Sequence, residues 1–290
     1  MEFIDLSQIS EAEIVETHNE AFSDYEVPMN LSLDTFRYFN RRRGVRYDLS
    51  IGAIEDGKLI GFILNAIDIW DGNLTAYDCG TGVVPEFRKK GVGNQIFDEL
   101  LPILRKEKIK QYLLEVIQTN TAAYNLYIKR NFKITREFDC LQAERVAIEK
   151  KLNEDVKKNT IIDFNVRELK SLDWNIARKF WDYNPSWQNS DLSILRVEES
   201  FEYLGAFINN SLVGYLVFEQ TGGITQLAIH PKHRKKKLAF NLLEMLLNKY
   251  PDNERFNIIN IDTRDTALLA FLRNFGFKSF TAQYEMKLKL

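Results

Sequence analysis

The chain has 290 residues, about twice the usual size of one domain, so we expect two domains. Hydrophobic residues make up 45% of the chain and charged residues 28%, which supplies apolar material for packed cores and excludes wholesale disorder. A net charge of −2 argues against a general nucleic-acid binder, so we expect a small partner and no nucleic acid.

The N-terminal segment and the cysteines favour a cytoplasmic protein. The opening residues MEFIDLSQIS have no basic region followed by an apolar core, and no apolar run approaches the roughly 18 residues that a membrane span needs. Cys79 and Cys140 lack the spacing of a metal site or of a disulfide scaffold, and the histidines lack the spacing of a zinc site. We therefore expect a cytoplasmic chain with reduced thiols, no metal and no membrane partner.

The first half predicts an alternation of strands and helices. An N-terminal strand and two helices precede a β-hairpin at residues 51–64, whose turn residues, Asp56 and Gly57, tolerate the positive φ of tight hairpins. A third strand ends at Val84 and leads into a basic turn, then a helix, a strand, a further helix and a terminal hairpin. The helix after the turn has an apolar stripe at helical spacing, which predicts a core-facing side: Ile96, Phe97, Leu100, Leu101 and Leu104.

The same order of elements occurs a second time. Residues 51–64 align without a gap to residues 204–217, and residues 112–132 align to residues 257–277. In the second basic turn Arg234 corresponds to Arg88. We therefore predict an N-terminal domain at 1–147 and a C-terminal domain at 162–290. Between them, 148–161 is predicted to be a charged linker with few core candidates, either helical or irregular.

The first basic turn has the composition of a phosphate site. Glycines at a helix start let a ligand approach the backbone, and the free N–H groups there point outward with the positive end of the helix dipole. Arg88, Lys89 and Lys90 add cations that suit a pyrophosphate. Alone, this short pattern fits a solvated helix start equally well. A second motif, N-x-x-A-x-x-L-Y-x-x-x-N-F at residues 120–132, follows at a fixed distance and favours the phosphate site.

Together, the two motifs resemble those of the GNAT superfamily of acyl-CoA N-acyltransferases. The resemblance covers residues 1–145 and, more weakly, residues 162–290. Asn131 stands where the family has glycine, but asparagine tolerates left-handed backbone angles, so the helix can end in the same way. The resemblance implies an α+β fold of the three-layer α/β type. In it, two tandem GNAT-like domains each have a mixed, mostly antiparallel twisted sheet flanked by helices.

The same resemblance implies an acyl-CoA-dependent N-acyltransferase that uses acetyl-CoA (coenzyme A) as acyl donor and no metal. A deprotonated primary amine attacks the thioester directly in a ternary complex, and Tyr127 protonates the departing thiolate. The alternative for Tyr127 is an amphipathic aromatic residue that packs its helix onto the core. The residues implied to bind the cofactor are Val83, Val84, Arg88, Lys89, Lys90, Gly91, Val92, Gly93, Asn120, Ala123 and Tyr127.

The general base and the acceptor amine are less well defined. Glu115 and Asp78 lie on predicted strands beside the cleft and are candidate bases, although strand carboxylates more often face solvent. Asp24, Tyr25 and Glu26, between the first two helices, are the candidate acceptor site. Acidic and aromatic residues suit a cationic amine on a small molecule or a peptide, but an exposed polar loop explains them equally well.

The second copy lacks several of the residues that the resemblance implies. The replacements are Lys237 for Gly91, Ala239 for Gly93, Leu272 for Tyr127 and Asp265 for Asn120. We predict that this half does not bind acyl-CoA in the family manner, because a lysine side chain obstructs the backbone contact. Packing, a wall for the acceptor pocket or homodimer contacts would explain its retention. The alternative function is a non-catalytic acyl-CoA-sensing or interaction protein, since fold alone does not establish activity.

Overall fold

The computed structural model describes residues 1–24, 29–155 and 164–290 of the chain. These residues form two compact units, of which the first comprises Met1–Thr135 with Tyr284–Leu290 and the second comprises Arg136–Gln283. Within the described ranges no helix is both long and apolar enough to cross a membrane.

The first unit has a mixed sheet with helices packed on it. Strands β1 to β4 pair in antiparallel fashion, whereas β4 and β5 pair in parallel. The serine hydroxyls of Ser10 and Ser32 accept a backbone N–H in the first turns of α1 and α2, which is why both helices begin there. The bounds are β1 Glu2–Asp5, α1 Glu11–Ala21, α2 Leu33–Arg43, β2 Ile51–Glu55, β3 Lys58–Trp70, β4 Asn73–Val83, α3 Val92–Lys106, β5 Gln111–Ile117, α4 Thr121–Lys129 and the start of β6 Lys133–Glu144.

The second unit has the same order of strands with shorter early helices. The two helices predicted at its start are single turns here, each accompanied by short 3-10 segments. Strands β7 to β10 form an antiparallel sheet, and β6 pairs with β11. The bounds are α5 Arg145–Asp155, β7 Asn165–Leu169, α6 Trp174–Ala177, α7 Asp191–Leu195, β8 Glu202–Ile208, β9 Ser211–Phe218, β10 Ile224–Ile229, α8 Leu238–Lys249, β11 Arg255–Asp262, α9 Thr266–Asn274 and β12 Lys278–Lys289.

Both predicted hairpins are confirmed. The first turns at Asp56 and Gly57, with φ of 49° and 75°, and the second at Asn209 and Asn210, with φ of 49° and 62°. Positive φ at both central residues gives the turn a twist that matches the twist of the flanking strands. The apolar stripe of α3 is also confirmed, because Ile96, Phe97, Leu100 and Leu104 are buried while Leu101 is half-buried.

The predicted terminal hairpins are wrong, because each copy ends in one long strand. Residues 138–144 of β6 pair with β11 in the second unit. Residues 284–290, which end the chain, belong to the first unit, where β12 lies next to β5. The units therefore differ from the predicted ranges 1–147 and 162–290, since hydrogen bonding across the sheet, rather than order along the chain, determines which unit a strand joins.

The predicted linker also differs from the structure over its described part. Helix α5 covers residues 145–155, and Ile148 and Leu152 are buried in the hydrophobic core of the second unit. The linker prediction rested on the many charges of this segment, but two apolar residues four positions apart on one helix face are sufficient for packing. Residues 156–161 lie outside the described ranges.

We expect the last strand to contribute strongly to the stability of the first unit. Met286 has no exposed surface and packs in the core of that unit, so Met286→Ala should lower the free energy of unfolding by about 2 to 5 kcal/mol. Lys289→Ala, on an exposed neighbour in the same strand, should change it by less than about 0.5 kcal/mol. Urea unfolding measures both, and equal small effects would show that β12 is dispensable for the first unit.

Candidate functional site

The cleft of the first unit begins where β4 and β5 stop pairing. Their parallel register runs from Thr75 opposite Gln111 to Asp78 opposite Leu114, although β4 continues to Val83 and β5 to Ile117. Immediately after Asp78 the register of β4 with β3 shifts by one residue, which makes Cys79 a β-bulge. A bulge bends the strand and redirects the side chains that follow it. The two parallel strands therefore separate and leave a cleft between their carboxyl ends.

The basic turn presents an open helix start beside this cleft. Lys89 and Gly91 have φ of 61° and 85°, and α3 begins at Val92 with no side chain capping its first N–H groups. A Cβ added at Gly91 would have the Gln95 amide, 3.8 Å away, as its nearest neighbour, so the space above this helix start is open. Uncapped amides and open space fit the pyrophosphate of a coenzyme A molecule. Lys89 and Lys90 are exposed at the same turn.

Arg88, a predicted cofactor-binding residue, binds protein groups through its guanidinium. Its Nε donates to the Val83 carbonyl at 3.0 Å and its Nη2 donates to the Ala21 carbonyl at 2.7 Å. Both nitrogens Nη1 and Nη2 donate to the Asp24 carboxylate, at 2.7 and 2.8 Å. Arg88 therefore ties the end of α1 to the end of β4, and the Asp24 carboxylate is already paired with a cation. Tyr25 and Glu26, the other predicted acceptor residues, lie outside the described ranges.

The second unit repeats this arginine clamp. Arg234 donates from Nε to the Ile229 carbonyl at 3.1 Å, from Nη2 to the Phe180 carbonyl at 3.2 Å and from Nη1 to Asp182 at 2.5 Å. The clamp is therefore present in the copy that lacks both glycines of the turn. In both copies the arginine therefore links the turn to backbone carbonyls elsewhere in its unit.

The predicted backbone contacts at the end of β4 are only in part available. The Val84 amide donates to the Ile60 carbonyl at 2.9 Å, so this N–H does not face a ligand. Asn120 caps α4 by accepting the Ala123 amide at 3.0 Å. In the second unit Asp265 caps α9 in the same manner, through the Leu268 amide at 3.0 Å. These polar residues thus begin a helix in both copies, whatever ligand the cleft holds.

Asp78 and Tyr127 meet in the wall of the cleft, and both are 6% exposed. The Tyr127 hydroxyl donates to Asp78 Oδ2 at 3.2 Å, and the same carboxylate accepts the Thr81 hydroxyl at 2.6 Å and the Gly80 amide at 2.9 Å. Burial raises the pKa of Asp78 from 3.8 to about 6, although these hydrogen bonds oppose the rise. The expectation that this strand carboxylate faces solvent is therefore wrong. The Tyr127 ring also packs against Phe132, with centroids 5.6 Å apart.

Glu115 follows Leu114, the last residue of β5 that pairs with β4, and it interacts with a different tyrosine, Tyr77. It is half-buried, and burial first, then the negative charge of Glu115, raise the pKa of the buried Tyr77 hydroxyl well above its usual value. The structure thus brings Asp78 into hydrogen-bond contact with Tyr127. Asn131 has φ of 66°, like Gly276 in the second copy with φ of 85°, which confirms that asparagine ends α4 in a left-handed conformation.

Sequence reasoning missed Thr81, whose hydroxyl makes the shortest of the described bonds to Asp78. In a regular strand, residues three positions apart face opposite sides of the sheet, so alternation separates Thr81 from Asp78. The bulge at Cys79 shifts this alternation by one residue and lets the two side chains meet. A pattern of single residues gives no signal for a bulge at this position.

The raised pKa of Asp78 predicts a pH-dependent stability. In the unfolded chain its pKa is 3.8, so between about pH 4 and pH 6 the folded protein binds more protons and loses stability as the pH rises. Asp78→Asn should therefore gain stability relative to the parent across this window, by an amount on the order of 3 kcal/mol at pH 7. Asp98→Asn is the control with opposite sign, because Arg130 lowers the pKa of Asp98. Parallel urea-unfolding profiles for the parent and Asp78→Asn would contradict the prediction.

Comparison with known proteins agrees with this architecture. The family model described as Acetyltransferase (GNAT) family matches residues 11–132 and again residues 166–277. Among solved structures, the tandem GNAT protein from the clavulanic acid biosynthesis pathway, determined without AcCoA, is 13% identical, with 99% of this chain and 98% of that chain covered and a TM-score of 0.70.

Two further solved structures are similar over nearly the whole chain. A GCN5-related N-acetyltransferase from Sphaerobacter thermophilus is 14% identical, with coverage of 97% of this chain and 93% of that chain and a TM-score of 0.70. A putative acetyltransferase from Pyrococcus horikoshii is 17% identical, with coverage of 100% and 88% and a TM-score of 0.66. These structural likenesses show the fold, and they confirm the predicted fold class. The family matches cover more than half of the sequence, and the chain therefore belongs to the Acetyltransferase (GNAT) family, with two GNAT-like domains in tandem.

Proposed function

We propose that the protein is an acetyl-CoA-dependent N-acetyltransferase of the cytoplasm, in which the first copy binds the cofactor and transfers the acetyl group to a primary amine. Family membership supports acyltransferase activity in general. The observation that carries the finer proposal is the contact of Tyr127 with Asp78 beside the open turn at Gly91. The second copy has leucine and isoleucine at the positions of this pair, Leu272 and Ile224.

The residues of the basic turn suit the pyrophosphate of acetyl-CoA, and the cleft has room for its acyl end beside Tyr127. When bound, acetyl-CoA supplies an activated acyl group as a thioester. The amides that begin α3, with Lys89 and Lys90, would hold its pyrophosphate. The separated ends of β4 and β5 would receive its acyl end next to Tyr127. Residues of this chain thereby hold the thioester and the amine at one place, which lowers the entropic part of the barrier.

Tyr127 and Asp78 can manage the proton balance of the transfer. A carbon–nitrogen bond forms as the carbon–sulfur bond breaks, so nitrogen must lose one proton and sulfur must gain one. We assign the Tyr127 hydroxyl as the donor to sulfur. Asp78, with a pKa of about 6, is ionised at neutral pH and can take up the proton that nitrogen loses and return it to Tyr127. Glu115 remains a second candidate base.

The acceptor is proposed to be an amine on a small molecule or a peptide. Asp24 gives little support for a cationic acceptor, because its carboxylate is paired with Arg88. A homodimer is part of the proposal only as a possible role for the second copy.

Removal of the Tyr127 hydroxyl should separate catalysis from binding. Tyr127→Phe should lower kcat for acetyl transfer by about 10² to 10⁴-fold and leave the Kd for acetyl-CoA unchanged, because only the proton donor is lost. Tyr124→Phe, on the same helix, is the matched control and should retain activity. Thiol release with a panel of amines measures kcat, and calorimetry measures Kd. An unchanged kcat would remove Tyr127 from the mechanism.

Copying the second turn into the first should abolish cofactor binding. Gly91→Lys places a long side chain over the uncapped amides of α3, so calorimetric titration should show at least a tenfold weaker Kd for acetyl-CoA. The fold should tolerate it, because Lys237 adopts φ of 60° at the same place in the second copy. Lys237→Gly is the control and should leave the first site unchanged. Wild-type affinity in Gly91→Lys would refute the turn as the pyrophosphate site, and binding without transfer to any amine would favour the non-catalytic alternative.

A further inference from the structure

The second unit contains a large cavity between the carboxyl ends of β10 and β11. Its volume is about 590 Å³, within the range of small-molecule sites. Directly before β10, Gly223 forms an isolated parallel bridge with Asn257, whereas β4 and β5 of the first unit keep four paired positions. Its apolar and aromatic lining includes Phe180, Leu227, Phe240, Ile258, Leu268 and Phe271.

The second copy has aliphatic residues at three positions that are polar in the first cleft. Ile224, Leu227 and Leu272 stand at the positions of Asp78, Thr81 and Tyr127. Ile224 and Leu272 are buried, and Leu227 lines the cavity. The second unit has thus lost both residues of the proposed proton-transfer pair, and Leu227 adds to the apolar part of the cavity lining.

The charges at the rim favour an anion. The acidic residues of the lining already have partners: Asp182 pairs with Arg234, Asp262 pairs with Arg264, and Asp265 caps α9. The lining also contains Lys235 and Lys237 at the start of α8, where no side chain caps the helix. The Lys237 ammonium lies 5.6 Å from the centre of the Phe240 ring, at the boundary between the cationic and apolar parts.

We propose that the second unit binds an anionic amphiphile, with a carboxylate or phosphate head at Lys235 and Lys237 and an extended alkyl chain between β10 and β11. This site binds without catalysing and is separate from the acetyl-transfer site of the first unit. Complementarity carries the assignment: the mainly apolar cavity takes the alkyl chain, and the ammonium groups of Lys235 and Lys237, rather than the backbone amides, take the anionic head. A free fatty acid and the acyl chain of a long acyl-CoA share this chemistry.

Ligand length provides a test that requires no mutation. Calorimetric titration of the full chain with sodium hexanoate, octanoate, decanoate and dodecanoate, below their micelle concentrations, should give one site per chain. The affinity should rise by up to about fourfold for each methylene that becomes buried. No saturable binding of dodecanoate, together with none of dodecanoyl-CoA, would overturn the proposal. An affinity that is independent of chain length would also overturn it.

Matched variants of the two turns locate the site. Lys235 and Lys89 occupy the same position in their turns, and both have φ of 61°. Lys235→Glu should weaken dodecanoate binding about three- to tenfold, whereas Lys89→Glu should leave it unchanged. Equal effects of the two variants would overturn the assignment to the second unit. Both residues are exposed, so neither variant removes a core side chain.

Dodecanoyl-CoA and acetyl-CoA show whether the bound alkyl chain belongs to a free fatty acid or to an acyl thioester, and whether the cavity binds coenzyme A itself. Both ligands are titrated into the Gly91→Lys variant, in which the first site should be blocked. If dodecanoyl-CoA binds to this variant and dodecanoate does not, the natural ligand of the cavity is an acyl thioester. Competition between dodecanoate and dodecanoyl-CoA would support the shared site. Acetyl-CoA that binds this cavity as tightly as dodecanoyl-CoA would overturn the proposal, because the alkyl chain would then contribute nothing. Acetyl transfer by the parent chain is assayed separately, so loss of the proposed enzyme activity does not affect these outcomes.

Discussion

The separation of two parallel strands is the constraint on which both clefts depend. In each copy a β-bulge closely follows the last residue of the parallel pairing, at Cys79 in the first unit and at Thr225 in the second, and these positions correspond in the aligned repeat. Beyond the bulge the strands lose their mutual hydrogen bonds, so their polar backbone groups face a space that must be filled by side chains or by a ligand. The first unit places a carboxylate and a phenol there, and the second leaves an apolar cavity.

In the turn after the bulged strand, one residue stabilises the backbone and another leaves the helix start open to a ligand. Arg88 and Arg234 make equivalent bonds to a carbonyl at the end of their strand, to a carbonyl before their strand and to an aspartate. This clamp stabilises the backbone and persists in both copies. Glycine at residue 91 exposes the helix start to a ligand, and only the first copy retains it. Duplication therefore preserved the architecture of the turn while changing what can bind to it.

The first cleft buries a carboxylate, whereas the equivalent region of the second unit buries aliphatic side chains. In the first unit, a carboxylate that is 6% exposed accepts three hydrogen bonds, and burial raises its pKa to about 6. In the second unit, aliphatic residues remove the desolvation cost of a buried charge and leave room for an apolar ligand. The same backbone geometry can thus serve chemistry in one copy and binding in the other.

The sequence by itself determined the duplication, the hairpins with their positive-φ turns, the helix stripes and the family, because these depend on neighbours along the chain and on periodicity. It also brought Tyr127 and Asp78 forward as separate candidates. Only the tertiary structure decided that they touch, that Arg88 binds Asp24 instead of standing free, and that residues 284–290 join the first unit. Each of these depends on a contact between distant parts of the chain or on a one-residue bulge. Neither leaves a periodic signal, because hydrogen-bond partners across a sheet are selected by three-dimensional packing.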